Sequence, residues 1–67
     1  MSTGKLQEWN EGEGAGRIKD DQSGAPLQFS SNDLRNPTER RNLHRGDKVR
    51  FEIDANQPNH AIEVGKA

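Results

Sequence analysis

The side chains in this sequence best placed to do chemistry are a run of cations in its second half. Residues 35–50 hold Arg35, Arg40, Arg41, Arg45, Lys48 and Arg50 against Glu39 and Asp47, six bases against two acids. Residues 1–16 reverse that balance, with Lys5 against Glu8, Glu11 and Glu13. The whole chain carries a net charge of −1, so any attraction to phosphate must be local and must centre on the second half. A solvated polar loop is the competing reading of the same residues, and Arg40-Arg41 is accordingly either a phosphate clamp or a solubilising pair. Trp9 and Phe29 are two of only three aromatic residues. Each offers either a π-face for stacking or an anchor for the fold. Phe51 belongs to the core, because Lys48 to Ile53 alternates strictly between charged and apolar residues.

Other chemistries find no support in the spacing. Gly12-Glu13-Gly14-Ala15-Gly16 lacks the helix of a dinucleotide fingerprint and the lysine and hydroxyl of a phosphate-cradling loop, and reads as turn chemistry. Asp20-Asp21 lacks the ligand spacing of a calcium loop. His44 and His60 show no zinc pattern and read as surface histidines. Ser23, Ser30 and Ser31 have no positioned base, so the chain is expected to be no enzyme, with no metal and no cofactor.

These residues must be held by very little core. The chain has 67 residues, 27% of them hydrophobic and 31% charged, with no cysteine for a disulfide or thiolate cluster. No apolar run is long enough for a membrane span, and no signal-type segment follows Met1, so a cytoplasmic setting with no membrane partner is expected. Strands are predicted at Lys5–Asn10, Arg17–Lys19, Pro26–Phe29, Lys48–Asp54 and His60–Val64, separated by clusters of Gly, Asp, Asn and Ser. Alternation turns Arg17 and Lys19 outward around Ile18. The predicted core is Leu6, Ile18, Leu27, Val49, Phe51, Ile53, Ile62 and Val64, with Leu43 as a lid. Ser30 to Arg45 is a long irregular connection, in which Ser31-Asn32-Asp33 can cap one helical turn and Leu34 and Leu43 pin the ends. Short strands without a long helix indicate a small all-β barrel.

The glycine-rich stretch Gly4-Lys5-Leu6-Gln7-Glu8-Trp9-Asn10-Glu11-Gly12-Glu13-Gly14-Ala15-Gly16-Arg17-Ile18 resembles the opening of a cold-shock domain. Gln28-Phe29-Ser30, Leu43-His44-Arg45-Gly46-Asp47-Lys48-Val49-Arg50-Phe51-Glu52-Ile53 and Asn59-His60-Ala61-Ile62-Glu63-Val64 are similar to later motifs of that family, in the same order. The resemblance covers nearly the whole chain and implies a five-stranded antiparallel OB-fold barrel with a long loop between strands 3 and 4. It also implies single-stranded RNA or DNA as partner, bound by stacking bases on aromatics of strands 2 and 3. Several of those aromatic positions hold other residues here: Glu8, Ala15, Arg17 and Pro26, while Gln28 stands in place of a histidine. Trp9 and Phe29 are the aromatics that remain.

The expectation is therefore a single cold-shock-like OB domain over residues 1–67, monomeric, or a terminal module of a longer protein. It would bind single-stranded nucleic acid weakly and largely through charge. Trp9, Arg17, Gln28 and Phe29 would touch bases, and Lys5, Lys19, Arg40 and Arg41 would touch phosphate. The alternative is a protein-interaction module on the same fold, its acids Glu8, Glu11 and Glu13 facing a basic partner.

Overall fold

Five strands and two short 3₁₀ turns make up the computed structural model, which describes residues 2–67. The strands are β1 (Ser2–Asn10), β2 (Ala15–Asp20), β3 (Pro26–Ser30), β4 (Lys48–Asp54) and β5 (Gln57–Lys66). They close into a barrel in the order β1-β2-β3-β5-β4, with β4 returning to β1. This is an OB-fold-like all-β barrel, as expected, and the long connection falls between β3 and β4.

One pairing departs from the antiparallel expectation. β3 and β5 run parallel, with Gln28 opposite His60. The reason is geometric: strands that alternate up and down around a closed ring need an even number, so a ring of five must contain a parallel neighbour.

Alternation builds the core. Leu6, Ile18, Leu27, Val49, Phe51 and Val64 point inward, joined by Phe29, Leu34, Leu43 and Ala61. Two expectations fail at bulges. Register shifts in the β4–β5 pairing, between Arg50 and Glu52 and between Ile53 and Asp54, break the alternation after Phe51 and leave Ile53 46% exposed. In β5, Glu63 takes a left-handed φ of 53°, and inward residues fall at Ala61 and Val64, three apart, while Ile62 is only half-buried.

The connection from Ser30 to Arg45 is built by short caps. Ser31–Asp33 forms one 3₁₀ turn, with the Asp33 carboxylate accepting from the Ser30 backbone N–H and hydroxyl. Pro37–Arg41 forms a second, with Pro37 at its start, where no amide donor is needed, and Asn36 accepting from the Thr38 amide. Leu34 and Leu43 are buried at its two ends, as expected. No helix among the described residues is long and apolar enough to cross a membrane.

Candidate nucleic-acid interface

The outer face of β1, β2 and β3 is laid out in rows across the strands, because directly paired residues share a face. Lys5 on β1 pairs with Lys48 on β4 on one side and with Lys19 on β2 on the other. All three are exposed. The Lys48 ammonium lies 3.8 Å from an Asp21 carboxylate oxygen, while Lys5 and Lys19 have no ion-pair partner among the described residues. Neighbouring strands stand roughly 4.8 Å apart, so the three lysines are rooted on adjacent strands in one row.

A fourth cation joins them through the turn before β4. Gly46 N–H donates to the Leu6 carbonyl at 2.7 Å, and Leu6 N–H donates to the Asp47 carbonyl at 2.8 Å. That clasp brings Arg45 to the cleft lined by Lys5, Gln7 and Lys19. The turn itself is closed by Asp47, whose carboxylate accepts from the His44 backbone N–H at 2.8 Å and lies 3.4 Å from the Lys66 ammonium. The His44 amide, against some desolvation and helped by Lys66, holds the Asp47 carboxyl below its ordinary value.

A second row runs parallel to the first. Glu8 pairs with Arg17, Arg17 with Gln28, and Gln28 with His60. Arg17 donates from its guanidinium to the Glu8 carboxylate. Glu8 is brought opposite Arg17 by a bulge that leaves Gln7 without a partner on β2. His60 is not a free surface histidine: its Nε2 lies 2.7 Å from the Asp33 carboxylate, and its side chain is half-buried.

Two of the expected base contacts are part of the fold instead. Phe29 is 3% exposed. Leu27 and Phe29 alternate inward while Gln28 points out, so a ring at position 29 belongs to the interior. Trp9 stacks on Phe29 with ring centroids 5.3 Å apart and planes 6° apart. Its indole N–H donates to the Arg40 carbonyl at 2.9 Å, and the side chain is half-buried against the core. Gly16 lies between the two rings in the paired row: a Cβ there would stand 2.7 Å from Trp9 and 2.8 Å from Phe29. The stack is a plug at one end of the barrel rather than an open platform.

Arg40 is likewise committed. Its guanidinium donates to the Glu11 carbonyl at 2.8 Å from Nη2 and 3.3 Å from Nε, tying the second 3₁₀ turn to the β1–β2 hairpin. A bidentate grip on a carbonyl fixes the loop and leaves little of the fork for phosphate. Arg41, next in the chain, is exposed.

The structure therefore brings Lys5 and Lys19 together, sets Arg17 and Gln28 beside each other in the neighbouring row, and ties Trp9, Phe29 and Arg40 into the packing and hydrogen bonding of the fold. Sequence reasoning missed Lys48 and Arg45 as members of the cationic patch. Both were visible as charges, but only strand register and the Gly46 clasp place them beside Lys5. No family model matches the chain, and no curated protein matches its sequence.

Proposed function

We propose that this barrel is a divergent cold-shock-like domain that binds single-stranded nucleic acid through charge, with Lys5, Lys19, Lys48 and Arg45 on phosphates. It does so as a monomer in the cytoplasm and carries out no catalysis. The observation that supports the reading most is the Lys48–Lys5–Lys19 row. Like charges directly opposite one another destabilise a sheet. A polyanion laid across the row would relieve that repulsion, and a strand of phosphates supplies negative charges in series. Stacking contributes little, because the remaining aromatic pair closes the barrel.

The test is a fluorescence-anisotropy titration of labelled single-stranded DNA and RNA oligonucleotides at low and high salt. Binding through four cations on a single strand gives a slope of log K against log salt of about −3, at ~0.7 per phosphate neutralised. Absence of a complex at about 20 mM salt, where screening is weak, rules the reading out.

A second reading has its own support. Glu11 and Glu13 are exposed on the β1–β2 hairpin, beside Glu8, and this acidic end would suit a basic protein surface. Glu8→Lys separates the two: it raises oligonucleotide affinity under the first reading and abolishes partner capture under the second.

A further inference from the structure

A second cleft lies beside the Glu8–Arg17–Gln28 row. It is an open hollow of about 350 Å³ lined by Glu8, Asn10, Ala15, Arg17 and Gln28, with the largely buried Phe29 also in its lining. Its lining also includes Gly16, and Ala15 and Gly16 lie consecutively on β2 with almost no side chain. Large side chains there would fill the hollow. Polar groups border it. Asn10 and Glu13 satisfy each other, the Asn10 amide donating to the Glu13 carboxylate at 3.0 Å and the Glu13 backbone N–H donating to the Asn10 carbonyl at 3.1 Å. Glu8 keeps spare acceptor capacity, because Arg17 engages one of its two carboxylate oxygens.

Building on the nucleic-acid reading, we infer that this hollow takes guanine and that the Glu8 carboxylate reads its Watson–Crick edge. An ionised carboxylate only accepts, and its two oxygens can receive two parallel N–H bonds. Guanine is the base that presents two adjacent donors, N1–H and the N2 amine. Adenine and cytosine set an acceptor beside their amine, and uracil and thymine flank their single N–H with carbonyls. A carboxylate facing any of these meets a lone pair, which supplies rejection as well as attraction. Arg17 is a positioning residue. It holds Glu8 against the sheet and offsets its charge, so that an acid can sit in a face that receives a polyanion. Gln28, opposite Arg17 in the same row, lines the hollow and is free to meet the sugar or a second base edge.

The test uses the full chain and labelled oligouridine and oligothymidine with one central guanine, hypoxanthine or adenine. Guanine is expected to bind more tightly than adenine by roughly 5- to 100-fold, the range of one bidentate base contact. Hypoxanthine, which lacks the N2 amine, falls between them. Glu8→Gln keeps side-chain volume at an exposed site. It should lower affinity for the guanine oligonucleotide and bring the guanine-to-adenine ratio to within about 2-fold, because the bidentate carboxylate contact is gone, while the adenine oligonucleotide keeps its salt-dependent binding. Arg17→Gln lowers the same ratio, and Arg17→Lys restores part of it. Equal affinities for the three oligonucleotides, with salt-dependent binding intact, overturn the guanine assignment alone. So does a preference that survives Glu8→Gln. No binding to any oligonucleotide at low salt overturns the nucleic-acid reading and this inference together.

Discussion

At the scale of single residues, the aromatic pair and the glycine between them separate folding from binding. Phe29→Ala removes a buried ring from a small core and should destabilise by about 3–5 kcal/mol, an amount comparable with the whole stability of many small domains. Thermal unfolding followed by circular dichroism would report a chain largely unfolded at 25 °C. A folded Phe29→Ala with weakened oligonucleotide binding would instead restore the ring to the interface. Gly16→Ala forces a Cβ to within 2.8 Å of the Glu8 carbonyl oxygen as well as both rings. Backbone cannot yield as a flexible side chain would, so a loss of roughly 1–3 kcal/mol is expected, read from the urea midpoint together with a shift in Trp9 emission as the stack opens.

Elements act through register. The lysine row exists because β1 pairs with β4 and β2 at the same residue. Lys5→Glu converts both cross-strand repulsions into opposite-charge pairs. Stability should rise, by about 0.2–1 kcal/mol for each pair, while oligonucleotide affinity falls. Opposite movement of the two measurements, from denaturant melts and anisotropy on one preparation, is the signature of a row kept for binding; a parallel fall in both would show that Lys5 serves the fold. The turn carrying Arg45 has a pH dependence of its own. Asp47 has a folded-state pKa below its ordinary 3.8, chiefly through the His44 amide. A carboxylate stabilised in the folded state contributes fully above the unfolded value and loses that contribution as pH falls through the lower folded one. Acid unfolding below about pH 4 should therefore include Asp47, and Asp47→Asn should flatten the stability profile there while lowering stability at neutral pH.

For the whole molecule, charge is arranged rather than accumulated. A net charge of −1 conceals a basic patch near Lys5, Lys19, Lys48 and Arg45 and an acidic hairpin at Glu11 and Glu13. Under the proposed reading, long-range steering would orient an incoming polyanion toward the face that carries the lysine row. Replacing Lys19 and Lys48 together by Gln should reduce the salt slope by about 1.4, at ~0.7 per lost contact. An unchanged slope in that double variant would move the binding surface elsewhere.

Much of the barrel was legible before folding. Strict alternation in Lys48–Ile53, the isolated Leu6, Ile18 and Leu27, and the turn clusters between them suffice for five strands and most of the core, because period-two patterning is a local property. The same alternation, applied to Leu27 and Phe29, would have placed Phe29 inside. Similarity to a family whose ring at that position meets bases argued the other way. Ile53 escaped for a different reason: bulges depend on how two distant strands fit, and no local pattern announces them. The candidate site was half visible, in Lys5, Lys19, Arg17 and Gln28 as outward polar residues. What tertiary structure decided was company. Closing the ring through β1 and β4 set Lys48 and Arg45 beside Lys5, the bulged β1–β2 register put Glu8 against Arg17, and the β3–β4 connection bound Arg40 to the Glu11 carbonyl. Side-chain type and direction follow from neighbours in the chain, whereas the partner of a charge follows from which strands pair and in what register.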